Sequence, residues 1–121
     1  VPWVRSFASL SEFFVHHEDV RRANRLGPRD DLTPALENAL WRNVQRGSRF
    51  LSRRIDEVGL DIVWRGTQQR ITVRTGDPVA ELNGSPGELL LYLFGRQAAA
   101  QVAVSGPQAA VDAVRNARFG M

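Results

Sequence analysis

The sequence predicts an α+β fold on three observations. Residues 3–24 and 33–55 carry a helical apolar period, the period drops to two beyond Gly59, and residues 58–121 alternate strand-like with helical segments. The expected order is αα–βββ–α–β–α.

In the first helix, about 100° per residue places Trp3, Phe7, Leu10 and Phe14 on one stripe. Phe13 and Val20 flank it on one side, and Val4, Ala8 and Val15 on the other. That arc covers well over half the circumference, more than one neighbouring helix can bury. Partner helices are therefore expected, either from an upstream portion of a longer protein or from a second chain, with a homodimer as one form. The plainer alternative is that the arc packs on the C-terminal sheet. The narrow polar face holds Arg5, Glu12, His16 and Asp19. Glu12 and His16 are four residues apart, so a carboxylate oxygen and an imidazole nitrogen reach the same side one turn apart, a spacing that suits a single divalent cation. The bland reading is a solvated face with a weak His–Glu hydrogen bond. His17 points away and is expected to pack or to bond a carbonyl.

The second helix opens with Thr33 as cap and Pro34 in its first turn, and Leu36, Leu40, Val44, Leu51 and Ile55 recur at helical spacing. Its other face carries Arg42, Arg46, Arg49 and Arg53. Residues 60–64 and 69–74 then read as strands around a turn at Gly66, and residues 78–82 as a third strand closed by Asn83-Gly84. Ser85-Pro86-Gly87-Glu88 has the form of a capping box, in which hydroxyl and carboxylate reciprocally satisfy free N–H groups. The helix it opens, residues 88–97, is apolar nearly all round and should be buried. A fourth strand over 101–105 and a helix from Pro107 to Ala117 complete the order.

Composition narrows the chemistry. The 121 residues contain no Cys, which excludes disulfides, Cys-ligated metals and a cysteine nucleophile, and which fits a cytoplasmic protein. No apolar window is long enough to span a membrane, and the N-terminus shows neither a basic leader nor a small-residue cleavage site. All sixteen basic residues are Arg, against thirteen acids. The pI of 10.9 follows from that choice, because almost nothing titrates between the two His and the guanidinium range. Neither half is a basic domain. The stripe of Arg42, Arg46, Arg49, Arg53 and Arg54 lacks interleaved aromatic residues, so nucleic acid is not an expected partner.

The run Ser11-Glu12-Phe13-Phe14-Val15-His16-His17-Glu18-Asp19-Val20-Arg21-Arg22-Ala23 resembles the signature of an actinobacterial metal-binding family within the DinB-like, mycothiol-dependent maleylpyruvate isomerase superfamily. Residues 87–97, Leu40-Trp41-Arg42 and the closing Ala117-Arg118-Phe119-Gly120 resemble the same family, so the likeness runs along nearly the whole chain.

The resemblance implies a divalent metal, usually zinc, held in a helical bundle by a Glu-x-x-x-His pair and a further His. By position the pair is Glu12 and His16, and Asp19 matches an acidic residue that follows them. It also implies that residues 1–30 are the terminal helix of that bundle, with the rest absent. Residues 31–121 are then a linking helix and a sterol-carrier-like α+β domain. The implied activity is that of a transferase or isomerase in which the metal-bound thiolate of mycothiol attacks an electrophile. The chain departs from the pattern in having only two His, adjacent to each other, so the third ligand has no counterpart. Two ligands bind zinc weakly, and the chain alone is expected to be inactive. A non-enzymatic module for an apolar ligand or a protein partner is the alternative.

Overall fold

The computed structural model describes the backbone of residues 2–121 and the side chains from Leu10 onward. Its elements are α1 (Pro2–Ala23), α2 (Pro34–Leu51), β1 (Gly59–Trp64), β2 (Arg70–Arg74), β3 (Val79–Gly84), α3 (Pro86–Leu93), β4 (Ala103–Ser105) and α4 (Gln108–Asn116). The architecture is α+β in the predicted order.

The strands form one sheet in the order β2-β1-β3-β4. β1 and β2 are an antiparallel hairpin turning at Gly66, whose φ of +77° suits a residue without Cβ. β3 crosses back to lie parallel to β1, and β4 returns antiparallel to β3. β3 runs on through Asn83 and Gly84, where the sequence predicts a turn, because Asn83 pairs with Ala103 and Gly84 with Trp64.

α2 begins as the sequence predicts, with Leu36 N–H donating to Thr33 Oγ1 at 3.2 Å. It stops at Leu51, earlier than the apolar period suggests, where Ser52 Oγ donates to the Ser48 carbonyl at 2.6 Å and the backbone turns. Ile55 stays in the core from outside the helix. α3 also ends early. Gly95 adopts φ +88°, its N–H bonds the Tyr92 carbonyl at 3.0 Å, and Arg96 N–H reaches back to Leu91 at 2.9 Å. This left-handed cap closes the helix at Leu93, short of the expected end at Gln97, and turns Arg96 back toward α1.

The capping box does not form. Ser85 occupies the cap position with extended backbone, but its hydroxyl makes no capping bond, and the Glu88 carboxylate is drawn elsewhere.

A single core joins the layers: Leu40, Val44 and Leu51 from α2, Leu60, Ile62 and Leu82 from the sheet, Leu89, Leu90 and Leu93 from α3, and Val114 from α4, all fully buried. Each such side chain contributes about 1.5–3 kcal/mol relative to exposure. The described part of α1 divides. Phe14 and Val15 enter this core, while Phe13 and Val20 are 71% and 63% exposed. The side chains of Trp3, Val4, Arg5, Phe7 and Ala8, which complete the predicted arc and polar face, lie outside the described residues.

Candidate functional site

The second half of α1 is fastened to the C-terminal layer by charge. Glu18 is fully buried, and both its oxygens accept from Arg21 Nη1, at 2.8 and 3.1 Å. Arg22 lies between two carboxylates. Its Nη2 donates to Glu18 Oε1 at 3.0 Å and to Glu88 Oε2 at 2.7 Å, and its Nη1 reaches Glu88 Oε1 at 3.2 Å and the Ala99 carbonyl at 2.9 Å. Arg29 approaches Glu18 Oε2 to 3.9 Å. Glu88 further accepts the backbone N–H of Gln101 at 2.9 Å. Bonding to Glu88 first, and then to Glu18, raises the Arg22 pKa above its ordinary value against the opposing effect of burial. A second contact, between α1 and α2, is the buried bond from Asn43 Nδ2 to Ser11 Oγ, at 3.1 Å.

These anchors fix the face of α1 that carries the predicted metal pair. Glu12 and His16 line a cleft of about 170 Å³ together with Val15, Phe94, Arg96 and Met121. The His16 side chain is 74% exposed. Glu12 is exposed too, and its carboxylate has no ion-pair or hydrogen-bond partner among the described residues. The structure therefore brings both predicted ligands to one cleft, with Glu12 unpaired among the described residues and His16 approached only by Asp19.

Asp19 is placed differently. It approaches His16 Nδ1 only to 4.0 Å, and its two oxygens are gripped by Arg96, at 2.9 Å from Nη2 and 3.2 Å from Nε. The same pairing raises the Arg96 pKa. Among the described residues no group of three or more His, Cys, Asp or Glu side chains is gathered to hold a metal. His17 turns away, as its position on the helix predicts, but it is exposed rather than packed in the core, bonds no carbonyl among the described residues, and stacks on the exposed Phe13 ring at 6.0 Å between centroids.

The basic stripe of α2 is partly occupied. Arg42, Arg46 and Arg49 face solvent, whereas Arg53 donates to Gly120 and Met121 carbonyls at 2.8 and 2.6 Å and covers the Phe50 ring at 4.2 Å. Arg54 also reaches the Gly120 and Met121 carbonyls, at 3.2 and 3.3 Å. Among the described residues no helix is long and apolar enough to cross a membrane.

Sequence reasoning missed Arg96, Glu88 and the Glu18 cluster. Arg96 and Asp19 are 77 residues apart, and Arg22 and Glu88 are 66 apart, so no local period connects them. The only local signal is Glu18 with Arg21 and Arg22 at helical spacings of three and four. No protein-family model, curated protein or solved structure matches this chain.

Proposed function

We propose that this chain supplies the Glu12–His16 arm of a divalent-metal site, zinc being the metal the family resemblance implies. The observation that carries the reading is that Glu12 and His16 open into one cleft, Glu12 without a partner among the described residues and His16 with only a 4.0 Å approach from Asp19, while Glu18 and Asp19 are held by Arg partners. One carboxylate oxygen and one imidazole nitrogen suit zinc by donor type but number one short of a usual three-ligand site. The third donor comes from outside the described residues, on a chain or segment that covers the exposed Phe13 and Val20 face of α1.

By the same resemblance, the working protein is a cytoplasmic thiol-dependent transferase or isomerase using mycothiol. A metal in such a site supplies one thing, a lowered thiol pKa. This chain's own contribution is to hold the His16 imidazole and Glu12 carboxylate at a cleft whose wall is set by Phe94 and Arg96.

The test is a zinc titration of the protein followed through the His16 imidazole resonances. A saturable shift, lost in His16→Ala and weakened about tenfold in Glu12→Gln, is expected. No His16 shift in the wild type, or unchanged binding in His16→Ala, overturns the assignment.

A further inference from the structure

A second cleft, sharing no residue with the first, lies between the end of α3, the loop that follows it, β4 and α4. It measures about 260 Å³ and is lined by Tyr92, Gln97, Ala98, Val102, Val104 and Arg115. We propose that it binds a small carboxylate with a short apolar body, the carboxylate meeting Arg115 and the Tyr92–Gln97 pair and the body resting on Val102 and Val104.

Three features argue for that chemistry. First, Arg115 has no carboxylate partner among the described residues. The nearest acid along its helix, Asp112, already accepts from Gln108 Nε2 at 2.7 Å. An exposed guanidinium fork without an acid presents paired donors that match a carboxylate. Second, the Tyr92 hydroxyl is paired with the Gln97 carboxamide at 3.3 Å. With Gln97 Nε2 donating, the phenol proton is left without an acceptor among the described residues. With the carboxamide turned over, its NH₂ is left instead, so the pair offers the cleft a spare donor either way. The Tyr92 ring is held edge-on against Phe119, at 5.1 Å between centroids, so that donor has a fixed position. Third, Val102 and Val104 are two residues apart and stand on the same face of an extended segment, giving a continuous half-buried apolar wall.

The volume suits a small ligand, since pockets for drug-sized molecules run to roughly 300–1,000 Å³. The wall separates this site from a plain anion site, because an inorganic ion has nothing to place against two valines.

The probe is benzoate, titrated into the protein and followed by backbone amide shifts, with benzyl alcohol and inorganic phosphate as controls. Saturable shifts at Gln97, Val102 and Val104 are expected. Benzyl alcohol and phosphate should each bind about tenfold more weakly, as should benzoate to Arg115→Gln, which alters an exposed side chain. Gln97→Leu should weaken benzoate by a smaller factor. Absence of saturation, equal affinity for benzyl alcohol, or unchanged affinity in Arg115→Gln overturns the carboxylate site. Phosphate binding as tightly as benzoate overturns the role of the apolar wall.

Discussion

The end of the Phe14 ring on α1 rests directly over the backbone of Gly87 on α3. A Cβ at residue 87 would lie 2.7 Å from Phe14 Cζ and 3.2 Å from Cε2. Phe14 is itself buried, so its ring cannot simply swing away. Gly87 therefore sets how closely α1 approaches the C-terminal layer, and with it the position of the Glu12–His16 face.

Gly87→Ala should destabilise the fold by about 1–3 kcal/mol through overpacking. Helix propensity alone predicts the opposite sign, a gain of up to about 1 kcal/mol. Urea denaturation distinguishes them, and Phe14→Leu combined with Gly87→Ala should recover part of the loss. A stabilised Gly87→Ala protein would show that α1 is not seated there.

Charge closes what Phe14 begins. Glu18→Gln would leave Arg21, Arg22 and Arg29 facing a neutral carboxamide at a fully buried position. Removing one partner of a buried ion pair costs about 3–5 kcal/mol, and the urea midpoint should fall accordingly. A loss below about 1 kcal/mol would mean that these ions behave as solvated surface pairs.

The elements that can be read in the sequence are those whose cause is local. Thr33 and Pro34 mark the start of α2 because capping involves residues three apart, and Glu12 and His16 line one cleft because a single helical turn separates them. The end of α3 is misplaced by the apolar pattern because apolar residues run on past Leu93 into Phe94, and the left-handed turn at Gly95 outweighs that continuity. The fate of Glu88 is not legible at all. Its capping role is a local possibility, but Arg22 arrives from a distant part of the chain with full charge and displaces it. The same holds at the candidate site, where the pair is visible in sequence and the Arg96 that takes Asp19 from it is not.

The end of α1 carries a removable strain. Arg25 has φ +64°, in the position that closes a helix, with its N–H bonding the Arg22 carbonyl at 3.0 Å and Leu26 N–H bonding Arg21 at 3.0 Å. That conformation costs a residue with Cβ about 1–2 kcal/mol, whereas glycine adopts it freely. The Arg25 side chain is exposed. Arg25→Gly should raise thermal stability by about 0.5–1 kcal/mol, after allowance for the greater freedom of glycine in the unfolded chain. A lower melting temperature would place a contact on the Arg25 side chain.

Tyr92 is the single tyrosine, so phenolate absorbance reports it alone. Burial raises its pKa above the ordinary 10.0, opposed by the Gln97 bond and by Arg115. A raised folded pKa means that the native state holds the proton more tightly than the unfolded chain. The resulting stability is present in full below the unfolded pKa and is lost as pH rises through the folded one. The phenolate should therefore appear above pH 10.0, with the melting temperature falling over the same range, and Tyr92→Phe should flatten that fall. A titration at or below 10.0 would mean that the hydroxyl is solvated.

Arg96 works against the metal reading in two ways, and its removal tests that reading from the opposite direction. Its guanidinium lines the cleft of Glu12 and His16, where a fixed positive charge opposes a cation. It also holds both oxygens of Asp19, which stands three residues beyond His16 on the same helix face, with one oxygen 4.0 Å from Nδ1. Arg96→Met keeps an unbranched aliphatic chain at the cleft it shares with Phe94 while releasing Asp19, deleting the charge and giving up the bond from Nη1 to the Phe94 carbonyl at 2.8 Å. Glu12, His16 and the freed Asp19 then present three donors, the number at which zinc sites become secure. Zinc affinity, measured by competition with a chromophoric chelator, should rise about tenfold or more in this variant, and Asp19→Asn added to it should cancel the gain. The loss of the Arg96–Asp19 pair should cost no more than about 1 kcal/mol of stability, since both side chains are 37% exposed. If Arg96→Met binds zinc no more tightly than the wild type, the Glu12–His16 face is not a metal-binding arm, and its exposed polar residues serve only to keep that side of α1 in water.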